Sequence, residues 1–113
     1  MLGSLLNLDA VARVSAERDT VVVCAGFQGA FALDDAYCAG RIVQLVGSER
    51  TDAAIGAELI ARAFPNTLDA LNARTYGPPG LEEDIAFCAR ENVLDVVPRL
   101  VGMVGPAAEI ASS

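Results

Sequence analysis

One short stretch of this chain gathers residues able to do chemistry: Gly26-Phe27-Gln28-Gly29, followed after four residues by Asp34-Asp35. Backbone N–H groups at Gly26 and Gly29 could approach a phosphate, helped by the N-terminus of the helix that follows. A tight turn from strand to helix needs glycine equally well. Asp34 and Asp35 would repel a bare phosphate, so the phosphate reading requires a cation between them. The same two carboxylates also serve as an N-cap and a favourable dipole charge, worth roughly 0.5–2 kcal/mol with no ligand at all. On residues alone both readings stay open.

Composition narrows the rest. The chain has 113 residues, with eight basic groups, all Arg, against fifteen acidic ones, no His and a net charge of −7. Without Lys there is neither a Schiff-base enzyme nor a phosphate-binding loop ending in GK[ST]. Without His, the Ser-His-Asp, Cys-His and HExxH sites are excluded. Catalysis must rest on carboxylates, Arg, Cys, hydroxyls or backbone. A pI near 4.3 and the absence of an Arg cluster argue against nucleic acid as a partner.

Cys24, Cys38 and Cys88 form an odd set without a CxxC, neither a disulfide framework nor a zinc knuckle. A thiol phosphatase needs an Arg six positions after its Cys, and position 30 is Ala. Cys24 is therefore expected as a buried core thiol, and Cys38 and Cys88 as packing residues of helices. A reducing cytosol is the simplest compartment for such thiols. The N-terminus carries no basic segment and no apolar run reaches the ~20 residues of a membrane helix. A soluble, cytoplasmic chain without membrane contact is expected.

The elements that must position Asp34 and Asp35 alternate between helix and strand. Ser4 caps a helix with Leu5, Leu8, Val11 and Ala12 on one face. Thr20 to Ala25 reads as a central strand covered on both faces. Asp34-Asp35 opens a helix ending at Gly47-Ser48, and another begins near Thr51-Asp52, with Glu58 and Arg62 as an i,i+4 pair. Pro65 stops it, and Asn66 caps a short successor. After the turn Tyr76-Gly77-Pro78-Pro79-Gly80, Glu82-Glu83-Asp84 open a helix whose stripe is Leu81, Ile85, Cys88 and Ala89. Val93 to Val97 reads as a second strand. Residues 1–104 form a single α/β domain, and 105–113 a flexible tail.

Two strands rarely hold a sheet alone. Hydrophobic residues make up 53% of the chain, and the mean hydropathy is +0.41. A chain of ~110 residues buries only about two-thirds of its unfolded surface. The surplus of apolar side chains points to a missing portion of sheet, supplied by another segment or another copy.

Three strings, in order, resemble the 2-phosphosulfolactate phosphatase (ComB-like) family. They are Gly3-Ser4-Leu5-Leu6-Asn7 with Ala10-Val11-Ala12; Val23 through Asp35 with Cys38-Ala39-Gly40; and Glu83 through Ala89, running on to Asp95-Val96-Val97-Pro98. Their order is similar to the C-terminal half of such an enzyme. The family's N-terminal half, with its early acidic and Arg-containing strand end and its Thr-Asn-Gly-Thr-like loop, has no counterpart here. The Tyr76–Asp84 stretch is also shorter than the family's. The resemblance implies an α/β fold with a few-stranded sheet and flanking helices, half of a larger phosphatase fold. It further implies a Mg²⁺-dependent phosphatase acting on phosphate esters of 2-hydroxy carboxylic acids.

On that reading one of Asp34 and Asp35 ligates Mg²⁺ and the other orients water, near the sheet edge where α/β proteins bind ligands. Gly26 and Gly29 approach the phosphate, and the Glu-Asp-Ile context raises Asp84 to a further metal carboxylate. Arg41, Arg74 and Arg90 are possible anion partners without an assigned role. A truncated chain, inactive alone, belongs to the same expectation. The alternative is a non-catalytic half-domain that forms a homo-oligomer or pairs with a partner chain.

Overall fold

The computed structural model describes residues 1–47 and 49–112; Ser48, half of the expected Gly47-Ser48 helix stop, and Ser113 lie outside the described residues. The chain enters through a capping box. Ser4 Oγ accepts from Leu6 N–H at 3.2 Å, and Asn7 Oδ1 accepts from Ser4 N–H at 2.8 Å. This fixes a 3₁₀ turn, Leu5–Asn7, which runs into α1, Leu8–Ser15. Leu5, Leu8, Val11 and Ala12 are all buried, as their spacing predicts.

Helix α2, Leu33–Val46, ends at Gly47, whose left-handed φ of +69° turns the chain away. Thr51 caps α3, Asp52–Ala63, by accepting from Ala54 N–H at 3.3 Å. Phe64, the residue before Pro65, is extended, which ends α3 there. Asn66 caps α4, Thr67–Asn72, through Asp69 N–H at 2.9 Å. Helix α5, Glu82–Cys88, carries the three expected acids in its first turn.

Helix α2 is the centre of the packing. It meets α3 so closely at Gly40 that an added Cβ would stand 2.0 Å from the Ala57 carbonyl oxygen. Tyr37 and Ile42 of α2 join Leu8 and Val11 of α1 with Ala70 and Leu71 of α4 in one core. Buried Glu58 is held by Arg62 at 2.7 Å, the expected pair, and also by Arg50 at 2.7 Å.

The sheet lies elsewhere than the sequence suggests. Thr20–Ala25 is not a strand: the described residues offer it no neighbouring strand, and Val21 and Val23 are each 85% exposed. Val93–Val97 is not a strand either. This region serves the N-terminal turn instead, with Leu94 N–H donating to Leu6 O at 2.9 Å and Asn7 Nδ2 to Val96 O at 2.9 Å. The strands are β1, Arg99–Val104, and β2, Ala107–Ala111, an antiparallel hairpin with an irregularity between Leu100 and Gly102. The second of them occupies most of the stretch expected as a loose tail. The class remains α/β, with a two-stranded sheet. Among the described residues no helix is long and apolar enough to cross a membrane.

Candidate functional site

The glycine loop is a hairpin turn. Gln28 and Gly29 have successive positive φ values of +51° and +76°, the combination a type I′ turn requires. Phe27 N–H donates to Ala30 O at 3.1 Å, and Ala30 N–H to Phe27 O at 3.0 Å. A Cβ on Gly26, at φ +74°, would lie 2.8 Å from the Ala30 carbonyl oxygen, so side chains are excluded there. The Gly26 N–H donates to Asp35 Oδ2 at 2.6 Å. The amide expected to face a phosphate is thus engaged by a carboxylate, and Gly29 serves the turn.

Asp34 and Asp35 lie in the first turn of α2, but neither caps it; the N-cap is Ala32. Asp34 Oδ1 accepts from Asp35 N–H at 3.0 Å and from the Tyr76 hydroxyl. Burial, and then the bond to Asp34, push the Tyr76 phenol above its ordinary pKa, so it remains a donor at neutral pH. Its ring stacks on Phe27 with centroids 4.4 Å apart and planes 23° from parallel. The two acids border a cavity of about 210 Å³ together with Ser4, Cys38, Leu71 and Cys88.

Two of the thiols correct the sequence expectation, while Cys38, in α2, packs against the core as expected. Cys24 and Cys88 are exposed and Cys38 is half-buried. Exposure of Cys24 follows from that of the whole Val21–Ala25 segment. Burial, then Asp35, push the Cys38 thiol up to about 11, and the partial shielding of Cys24, then Asp35, push it up as well. Both environments disfavour a thiolate, so a cysteine nucleophile finds no support here.

Asp84 is exposed in the first turn of α5. Among the described residues no three His, Cys, Asp or Glu side chains group so as to hold a metal ion, so Asp84 does not complete a set with Asp34 and Asp35. Among the same residues, the second oxygen of each of those two carboxylates carries no hydrogen bond. A hard divalent cation takes one or two carboxylates, with water and substrate filling its other positions. The Asp34–Asp35 pair fits that minimum.

Sequence reasoning missed Tyr76 as a partner of Asp34, because nothing in a Tyr-Gly-Pro-Pro-Gly turn tells where the ring points. It also missed a polar network beside a cavity of about 790 Å³. There Arg41 Nη2 donates to Glu91 Oε2 at 3.1 Å, and Arg41 Nη1 pairs with Glu91 Oε1. Thr67 Oγ1 donates to Glu91 Oε1 at 2.6 Å, and Tyr37 Oη lies 3.0 Å from Thr67 Oγ1. The Arg41 hydrogen bond, chiefly, lowers the Glu91 pKa. Arg74 is bonded to Leu71 O at 3.1 Å, and Arg90 lies over the Phe87 ring at 5.5 Å. All three possible anion partners thus have partners within the fold.

Fold and site together describe an α/β protein with a carboxylate pair at the start of a helix. A profile of the 2-phosphosulpholactate phosphatase family matches residues 1–102, and the chain belongs to that family. It is 37% identical over 118 residues to a protein of Thermus thermophilus named "Probable 2-phosphosulfolactate phosphatase", covering 95% of this chain and 50% of that one. It is 36% identical over 108 residues to a protein of the same name in Thermotoga maritima, covering 89% and 48%. The "2-phosphosulfolactate phosphatase" of Methanothermobacter thermautotrophicus is 33% identical over 104 residues, covering 87% and 46%. The chain spans about half the length of the curated relatives it matches.

Proposed function

We propose that the chain carries part of the active site of a Mg²⁺-dependent phosphatase for phosphate esters of 2-hydroxy carboxylic acids, of the 2-phosphosulfolactate type. The observation that carries this reading is the Asp34–Asp35 pair, held by the Gly26 N–H and the Tyr76 hydroxyl in a chain of this family. Mg²⁺, when bound, offsets charge on the phosphoryl oxygens and favours a water nucleophile. One carboxylate of the pair holds the cation and the other orients the attacking water. Gly26 and Gly29 shape the turn that sets Asp35, and Asp84 stands apart. The three free thiols suit a reducing cytoplasm.

Phosphate release from 2-phospholactate and 2-phosphosulfolactate, with Mg²⁺ and with chelator, tests this. Chelator-sensitive turnover is expected to drop about 100-fold in Asp34→Asn and in Asp35→Asn. Turnover and Mg²⁺ binding that survive both replacements would place the site elsewhere.

A second reading has its own observation. Val21 and Val23 are 85% exposed, beside a cavity of about 500 Å³ walled by Val22, Phe31, Ala39, Val43, Ala57 and Ile60. An apolar segment and groove of this kind suit a half-domain that forms a homo-oligomer or pairs with a partner chain. A well-folded sample without turnover, yet associated in light scattering, would favour it.

A further inference from the structure

Asp34 and Asp35 are consecutive residues of a helix, and consecutive helical side chains do not face each other. For one carboxylate to hold the cation while the other orients its water, both must therefore be aimed by groups outside α2. The turn ahead of α2 supplies one such group, the Gly26 N–H on Asp35 Oδ2. The other comes from far along the chain. Tyr76, in the connection between α4 and α5, donates its hydroxyl to Asp34 Oδ1. Its ring stacks on Phe27, which flanks the same type I′ turn, so the two arms that hold the pair are joined to each other. The next residue, Gly77, has φ +98°, a bend any other residue would resist.

We propose that Tyr76 is the positioning residue of this carboxylate pair, its hydroxyl aiming Asp34 and its ring locking the Phe27 turn against the site. This rests on the proposed reading of the pair, with Asp34 as the carboxylate that holds the cation and Asp35 as the one that orients water. Tyr76 touches neither substrate nor cation in this role; it acts through Asp34. Outer-shell partners of metal-binding carboxylates typically govern affinity by 10–100-fold.

The test measures Mg²⁺ affinity of the full chain by titration calorimetry, with Mn²⁺ as a paramagnetic check, alongside thermal unfolding. Tyr76→Phe keeps the ring and removes the hydroxyl. It is expected to weaken Mg²⁺ binding about tenfold while shifting the unfolding midpoint by no more than about 2 °C. Tyr76→Ala, which loses ring and hydroxyl, is expected to bind at least as weakly as Tyr76→Phe. If Tyr76→Phe binds like the unchanged chain, the hydroxyl aims nothing and the proposal falls, whatever Tyr76→Ala does. If the unchanged chain binds neither cation, the cation-site reading falls and takes this proposal with it, a result distinct from an unaffected Tyr76→Phe.

Discussion

The seam between α2 and α3 and the groove beside it use the same small residues, yet one is closed and the other open. At Gly40 the seam leaves no room: the nearest α3 atom, the Ala57 carbonyl oxygen, stands 2.0 Å from where a Cβ would be. At Gly56, which lines the groove, nothing lies within 4 Å of that position. Small side chains thus do two different things in one molecule. In the seam they let backbones touch, and in the groove they leave a floor that no described residue covers. Apolar composition alone reports the capacity to be covered, and only the neighbours decide whether it is used.

The seam is the place to break that contrast hardest. Gly40→Ala drives a methyl into backbone, which cannot move aside as a flexible side chain would. A loss of about 3 kcal/mol of stability is expected, read as a lower urea midpoint. Unchanged stability would mean that α2 and α3 separate at little cost and that the seam is no tighter than the groove.

The polar network of Arg41, Glu91, Thr67 and Tyr37 should respond next. Glu91 and Arg41 keep 31% and 24% of their side chains exposed, and Thr67 and Tyr37 complete the bonds. Glu91→Gln keeps the shape and removes the charge, at an expected cost of roughly 1–3 kcal/mol. The folded-state pKa of Glu91 lies below its ordinary value of 4.5, so its contribution is fully present above about that pH. It is lost as pH falls through the lowered folded value. The stability gap between the unchanged chain and Glu91→Gln should therefore be constant near neutrality and close on acidification. A gap that persisted at pH 2 would show that shape, and not charge, carries the effect.

Where local rules suffice, the sequence was legible. Ser4 and Asn66 cap the elements they were expected to cap, α3 begins at the expected Thr51-Asp52, and Pro65 ends it, because such signals need only residues within three positions. Thr20–Ala25 was misread because its β-branched run describes a strand inside a sheet, while the described residues supply no partner for it. Val93–Val97 failed for the related reason that its backbone is spent on the N-terminal turn, Leu94 N–H on Leu6 and Val96 O on the Asn7 side chain. At the candidate site, the adjacency of the glycine turn and Asp35 could be read from nine residues of sequence separation. Tyr76 sits 42 positions from Asp34, and no periodicity reaches that far.

A gain is expected on the open side. Gly56→Ala adds a methyl to empty space in the middle of α3 and removes backbone freedom from the unfolded chain. Stability should rise by about 0.5–1 kcal/mol, opposite in sign to Gly40→Ala. A loss instead would mean that the groove closes in solution.

The smallest effect on stability is expected where the exposed apolar surface is greatest. Val21 and Val23 are each 85% exposed, Val21 at the border of the groove, while Val22, at 39%, lines it. Replacing both with Lys removes little packed contact, so the stability of an isolated chain should change by no more than about 0.5 kcal/mol. Charges on a strand edge nevertheless block the approach of another strand. If this segment is an unfilled place in a sheet, the double variant should stay monomeric in light scattering under conditions where the unchanged chain associates. If the variant unfolds instead, Val21 and Val23 already pack against something within the chain, and the contrast between a closed seam and an open groove fails at its most exposed point.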